Sequence, residues 1–317
     1  MPFDFDAAVA APFRMQPGLR RLAAGTPQLT PLAPGARHQR EKLAVLSAFW
    51  PQALCALPGF DAAPALAALY TQAAQEHPDA WAWDGQLAVA RRLGTAVADD
   101  GEVLPLQAGS FGLGDEVARC LLGLPEPWRQ AALASLAFAE DFAIVDGASG
   151  TIPWLAVALP SHWAPEEKLG RHFSEVHRPV ADNTLLLKAT AGLLRLATGA
   201  ERWERFVWNV SDHPRLHAHP ARVDPLRWQQ STPASAWWRT EHQTFIPLPE
   251  QAQAVFTIHV QVQALTEALD TPQRAAALHD AIASMSPAVL AYRNLAGVRE
   301  PLLAWLAQRA AQGDTTP

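Results

Sequence analysis

The chain reads as an α+β protein in which helical N- and C-terminal regions flank a central antiparallel sheet. Three observations predict this. Apolar residues recur at helical spacing through the first stretch of the chain. The period then switches to alternation at Trp203–Ser211, Trp238–Leu248 and Ala254–Val262. From Leu265 helical spacing returns. Strands bounded by runs of helices suit helices packed against a sheet. No internal repeat or low-complexity linker interrupts the 317 residues. A single integrated unit spanning residues 1–317 is therefore expected. Residues 1–140 should be mainly helical, 141–262 a β core and 263–317 C-terminal helices.

Taken in order, residues 1–40 form a Pro-punctuated lead-in suited to wrap over a core. Arg40–Ala56 has helical spacing, with Leu43, Leu46, Phe49 and Trp50 on one face. Pro51 should end or kink it, because proline lacks the amide donor and clashes with the preceding turn. Ala62–Glu76 predicts a second helix and Leu87–Leu93 a short third. Residues 99–114 read as a turn-rich loop. Its Gly109-to-Gly114 run lacks the Gly-Lys-Ser/Thr ending of a phosphate loop, and no clear strand precedes it. Trp128–Glu140 is helical, Phe142–Val145 a short strand, and Trp154–Leu159 a buried strand. Asn183–Ala197 is the strongest amphipathic helix in the middle of the chain. Pro247–Gln253 should join the last two alternating segments as a hairpin, and the segment after it is rich in β-branched residues. The tail from Gly313 should fray.

Composition narrows the function classes. Net charge is −6 and no basic run stands out, so no nucleic-acid partner is expected. Cys55 and Cys120 lie far apart with no CxxC pattern, as in a reduced, cytoplasmic chain. The acidic start lacks a cationic flank before an apolar run, which argues against a secretory signal. No uncharged apolar run reaches about 18 residues, so no membrane span is expected. Twelve Trp is many for this length. Trp stacks on flat ligands, but core filling is the commoner use.

Candidate chemistry concentrates in one region. Eight of the eleven histidines fall between His162 and His259. Leu159–Val180 holds His162, His172 and His177 with rigid proline punctuation. Histidine is the usual protein ligand of haem iron and of many metals. His177 precedes Arg178-Pro179-Val180 and then a long apolar helix, the setting of a proximal haem ligand. The competing reading is a core histidine satisfied by a backbone carbonyl. His172 competes for the same role, and His162 reads as a loop residue. His213, His217 and His219 sit in a Pro-broken loop that is either a zinc or copper site or a solvated polar segment. On the strand Trp238–Leu248, Arg239, Glu241 and Gln243 share one face, with Trp238, Thr240 and His242 on the other. That face either meets water or lines a polar pocket, where Glu241 could bind a protonated amine and Arg239 a carboxylate. No nucleophile elbow, EF-hand or His-Glu-x-x-His motif is present.

The order of several short segments resembles the haem-dependent oxidative N-demethylase alpha-subunit family, formerly a domain of unknown function. They are Pro12-Phe13-Arg14-Met15-Gln16-Pro17-Gly18-Leu19, Glu140-Asp141-Phe142, Pro160-Ser161-x-Trp163-x-Pro165-x-x-Lys168-x-Gly170, and Val176-His177-x-Pro179-Val180. Trp208-Asn209, Arg239-x-Glu241-x-Gln243-Thr244, Phe256-Thr257-Ile258, Ser284-Met285-x-Pro287 and Ala291-Tyr292 follow in order. The likeness runs through most of the chain. Ala181, His172 and His242 depart from the family pattern, and the arginine usual just before Trp-Asn is displaced, with Arg205 nearby.

The resemblance implies a PAS-like antiparallel sheet with a haem pocket and an oxidoreductase of the monooxygenase type. It would use haem b and oxygen to demethylate a small secondary amine such as dimethylamine, releasing formaldehyde. Electrons would come from NADPH through partner subunits carrying flavin and an iron–sulfur cluster. It further implies His177 as iron ligand, with His172 as runner-up. Arg239 and Glu241 would be the distal or propionate-facing polar groups, with Lys168 and Trp163 bordering the haem. A PAS-like haem sensor or binding module without turnover is the second reading, and a scaffold that has lost haem the third.

Overall fold

The structure is a computed structural model that describes residues 3–107, 114–177, 181–182, 184–229 and 231–312. Most of the Gly109-to-Gly114 run, the tail from Gly313, and Arg178-Pro179-Val180 lie outside the described residues, as does the His177 side chain.

The N-terminal region contains α1 (Phe5–Ala8), β1 (Arg20–Arg21), α2 (Arg37–Ala53), β2 (Leu54–Ala56) and α3 (Ala63–Glu76). In α2 the backbone at Phe49 departs from helical geometry and Pro51 lies beyond it, which is the kink expected. The predicted helix Leu87–Leu93 is instead a strand and a single 3-10 turn. It belongs to a small antiparallel sheet of β3 (Trp81–Trp83), β4 (Ala88–Ala90), β5 (Thr95–Val97) and β6 (Val103–Pro105). The turn chemistry overrides the short apolar period here. Asp84 accepts amide hydrogen bonds from Gln86 and Leu87, and Gly94 takes φ 57°. Ala88 and Ala90 then bury at a period of two. The helices α4 (Glu116–Leu122) and α5 (Arg129–Ala137) complete this region.

The main sheet has seven strands. It contains β7 (Asp141–Asp146), β8 (Thr151–Ala156), β9 (Trp203–Ser211), β10 (Trp237–Leu248) and β11 (Gln253–Ala264). The order is β1-β9-β10-β11-β7-β8-β2, antiparallel throughout. The strand expected at Trp154–Leu159 starts earlier, directly after the Gly150 turn, and its last residues leave the sheet. Pro249–Gln251 closes the β10–β11 hairpin as expected, with Leu248 opposite Gln253. Between β8 and β9 lie α6 (Phe173–His177) and α7 (Thr184–Ala197). The C-terminal helices are α8 (Leu265–Ala268), α9 (Pro272–Ala283), α10 (Pro287–Tyr292) and α11 (Arg299–Ala311). Among the described residues no helix is long and apolar enough to cross a membrane.

The sheet is covered on both faces. One face, with Ile246, Leu248 and Val255, packs against α3 and the N-terminal core around Leu69 and Tyr70. On the other, Phe245, Val145 and Ala254 pack against Leu194 and Ala197 of α7. At the far end of β9 and β10, Trp208, Val210 and Trp238 pack against the C-terminal helices. The Trp excess mostly fills these cores: Trp81, Trp154, Trp208 and Trp238 are buried, and Trp208 stacks on Trp238 at 5.1 Å. The lead-in wraps as expected, Gln28 donating to Thr244 Oγ1 and the Phe245 carbonyl.

A buried charge ties the N-terminal helices to the sheet. Lys42, 0% exposed, lies on the apolar stripe of α2. Its Nζ donates to the carbonyls of Phe138 and Glu140 and pairs with Asp141 Oδ1 at 3.1 Å. Asp141 Oδ2 accepts from the Leu159 amide at 2.6 Å. Beside it, the Glu140 carboxylate accepts from the Thr30 amide and lies 3.2 Å from His259 Nδ1. Burial pushes the Glu140 carboxyl up to about 7 and His259 down to about 3.

Lys42→Met leaves Asp141 buried without its cation. It should cost about 3–5 kcal/mol of stability, read as a lower urea midpoint at unchanged slope; adding Asp141→Asn should recover a large share. Glu140 supplies a second check. Its folded value lies above its unfolded one, so the stability it contributes is fully present below about 4.5 and is lost as pH rises to about 7. Glu140→Gln should remove that loss, so the wild-type minus variant difference should slope downward across this window. A flat difference would contradict the assignment.

Candidate functional site

Six consecutive polar residues, Arg239 to Thr244, are all buried in the middle of β10. The face that could have met water is therefore closed. Buried polar groups must find partners, and the two faces satisfy this differently. On the α3 side, His242 Nε2 lies 2.7 Å from Glu204, and Thr244 Oγ1 lies 2.7 Å from Thr257 Oγ1. His242 also stacks on Phe206, its register partner.

On the α7 side lie Arg239, Glu241 and Gln243. Arg239 is engaged by loops. Nε donates to Ser161 Oγ at 2.8 Å, Nη1 to the Arg215 carbonyl, and Nη2 to the carbonyls of Pro160 and Leu216. It staples the segment after β8 to the segment after β9, and burial pushes its pKa down to about 10. Glu241 is 8% exposed and accepts from Gln243 Nε2 at 2.5 Å.

Opposite Gln243 in the register stands Arg205 of β9. Its Nε is buried without a hydrogen-bond partner among the described residues. Desolvation depresses its pKa, against a smaller opposing effect from the Glu241 charge. Arg205 lines a small cavity of about 20 Å³ whose other walls are apolar, including Leu19, Phe173, Leu193, Leu194 and Phe245. In the sequence Arg205 stood out only as a displaced arginine; its alternation with Val207 on the inward face was the available signal.

The sequence-predicted histidines separate in space. His172 bridges Thr151, and its Nδ1 accepts from the Ser174 amide and lies 2.7 Å from Ser174 Oγ. An accepting Nδ1 puts the ring proton on Nε2. That nitrogen is packed so tightly that a Cβ on Gly150 would meet it at 2.4 Å. His177 ends α6, one turn beyond Phe173 of the cavity wall. Trp163 is half-buried against the Leu155–Val157 cluster, and Lys168 follows a 3-10 turn on the same loop.

The His213–His219 loop is neither a shared metal site nor a solvated segment. His217 Nδ1 lies 2.7 Å from the Ala158 carbonyl, and His219 Nε2 lies 3.1 Å from Glu166. His213 packs edge-on against His162, which accepts from Arg227 at Nδ1 and has φ 63°. Burial pushes His162 down to about 3 and His213 to about 4, so both are neutral. Among the described residues no group of three or more His, Cys, Asp or Glu is placed to hold a metal ion.

This is an antiparallel-sheet protein with a small apolar cavity on which one arginine, Arg205, borders. The chain belongs to the family described as haem-dependent oxidative N-demethylase, alpha subunit-like, which it matches over residues 122–303. No curated protein matches it. Haem-dependence is thus a family property, and the cavity, with room for about one water and no histidine in its walls, does not by itself fit a porphyrin.

Arg239→Met removes the hydrogen bonds to three loop carbonyls and one hydroxyl. We expect faster amide exchange at His162 and Ala218, whose backbones pair across the stapled loops, and a stability loss of about 2–4 kcal/mol. Unchanged exchange there would show that Arg239 does not hold the loops.

Proposed function

We propose that the chain is the haem-binding, oxygen-activating subunit of an oxidative N-demethylase acting on a small secondary amine of the dimethylamine type. Its electrons would come from partner subunits carrying the NADPH site, flavin and an iron–sulfur cluster. Family membership supports the haem and the oxidative chemistry. The observation that carries the substrate class is Glu241, a carboxylate buried on the α7 side of the sheet with Gln243 as its hydrogen-bond donor. A buried carboxylate attracts a cation, and a small ammonium provides one. Haem b, when bound, supplies oxygen activation. In the net reaction one oxygen atom leaves in formaldehyde and the other as water, with two electrons supplied by the reductase.

The chain's own residues divide the remaining work. Glu241 holds the ammonium, and Gln243 fixes the carboxylate. Arg239 positions the loop that carries Trp163 and Lys168, which border the haem. His177 is our choice for the iron ligand. The tautomer and packing of His172 support that choice, because its Nε2 carries the proton. The fold is read as PAS-like. Support comes from the order β8-β7-β11-β10-β9, which is 2-1-5-4-3 for the five long strands, with α6 and α7 between the second and third. The cavity beside α7, about 20 Å³, holds about one water and lies far below the range for ligand pockets, about 300–1,000 Å³.

The test is a visible spectrum of the chain with hemin, ferric and dithionite-reduced, with and without carbon monoxide and dimethylamine. We expect a Soret band that shifts on reduction, on carbon monoxide and on amine. Glu241→Gln should keep the band and lose the amine shift, and His177→Ala should weaken or move the band itself. No Soret band after hemin addition would end the haem reading. A full amine shift in Glu241→Gln would end the role given to that carboxylate. An amine shift without formaldehyde under reductant and oxygen would favour a sensor.

A further inference from the structure

We propose that Tyr292 selects a methylated ammonium over a bare one, its ring forming an aromatic wall beside Glu241. The inference rests on the reading of Glu241 as the amine-binding carboxylate, and it goes further by naming what reads the methyl groups. A carboxylate attracts any small cation, so charge alone does not separate dimethylammonium from ammonium. The methyl groups carry the difference. They are apolar and they share the positive charge, and an aromatic face attracts both features.

The path of α10 across the sheet brings Tyr292 there. Among the described residues β1 pairs with β9 only at Trp203 and Glu204, so the outer edge of β9 carries no strand from Arg205 onward. Arg293, directly after α10, straddles that edge. Its guanidinium donates to the Trp208 carbonyl and lies 4.8 Å from the Trp208 ring centroid and 4.6 Å from that of Phe13. Its own carbonyl accepts from Asn209 Nδ2 at 3.3 Å. Successive strand residues point to opposite faces, so Trp208 lies on one and Asn209 on the other. Asn209 shares its face with Arg205, Glu241 and Gln243, and Val207 between them stands opposite Glu241. Two strand residues span about 7 Å, so the end of α10 lies within a tyrosine side chain's reach of Glu241. Tyr292 is 51% exposed, yet burial holds its phenol above the ordinary value, and the charges of Arg293, Glu241 and Arg205 all act on it. The outer rim of the ring thus meets solvent while its hydroxyl end turns to the charged face. Arg205 on that face repels an added cation, which trims the pull of Glu241 and leaves more of the discrimination to the ring.

The experiment titrates dimethylammonium chloride and ammonium chloride by calorimetry into the purified chain, as wild type, Tyr292→Leu, Tyr292→Phe, Tyr292→Trp and Glu241→Gln. The wild type should bind dimethylammonium more tightly than ammonium. Tyr292→Leu should weaken dimethylammonium by about three- to tenfold, the worth of a half-exposed cation–π contact, and leave ammonium within about twofold. Tyr292→Phe keeps the ring and should keep the preference. Tyr292→Trp enlarges the aromatic face and should strengthen it, so the test survives if leucine disturbs α10. Glu241→Gln should weaken both cations. A Tyr292→Leu protein with the wild-type preference would overturn the assignment and leave the Glu241 reading intact. Equal losses for both cations would do the same, because a purely structural role predicts them. A preference lost in Tyr292→Phe would give the role to the hydroxyl and overturn the assignment to the ring. A wild type that binds neither cation, or a Glu241→Gln protein that binds both as the wild type does, would overturn the Glu241 reading and this inference with it.

Discussion

Lys42 is an ammonium without solvent contact, and the path of the chain through the site depends on how it is satisfied. A bare buried charge is prohibitive, so it demands a carboxylate and further acceptors in fixed places. Asp141 and the carbonyls of Phe138 and Glu140 supply them. This fixes α2 against the end of α5 and the first residue of β7. Asp141 then receives the amide of Leu159, where β8 has ended. The next two residues, Pro160 and Ser161, are those that Arg239 grips. One polar line thus runs from the N-terminal helices, through the sheet, to the loop over the candidate site.

The same logic explains how one strand can bury six polar residues in a row. On the α3 side they are closed off in pairs, His242 with Glu204 and Thr244 with Thr257. These pairs define how the lead-in and the sheet fit together. The α7 side is less complete. Among the described residues Arg239 gives four hydrogen bonds and Glu241 accepts one, whereas the Arg205 Nε finds no acceptor. The contrast between the faces, more than any single residue, separates framework from site.

Much of this fold was legible in the sequence because its long elements have strong periods. The alternation at Trp203–Ser211 and Ala254–Val262 located β9 and β11, and the spacing of Asn183–Ala197 located α7. Short elements were not legible: Leu87–Leu93 has too few residues for a helical period to outvote the Asp84 and Gly94 turns. For the site, alternation grouped Arg239, Glu241 and Gln243 on one face, but it could not rank them. Which arginine is saturated depends on carbonyls of residues 160, 215 and 216, and that proximity is set by the fold. Lys42 was hidden for the same reason. It sits on an apolar stripe, and only the arrival of Asp141 from about a hundred residues away makes that position tolerable.

The sheet order also carries a kinetic consequence. The β7–β8 hairpin and the β9–β10–β11 meander each join neighbouring segments, so each can close quickly. The seam between them pairs Ala143 with Phe256, across α6, α7 and both later hairpins. Closing that seam is the step of high contact order, and the loop entropy is lost before the contacts form. Until it closes, β7 and β11 are two open, largely apolar strand edges. Such edges pair with whatever strand arrives first. The vulnerable moment in this protein's life is therefore the interval between making its two half-sheets and joining them.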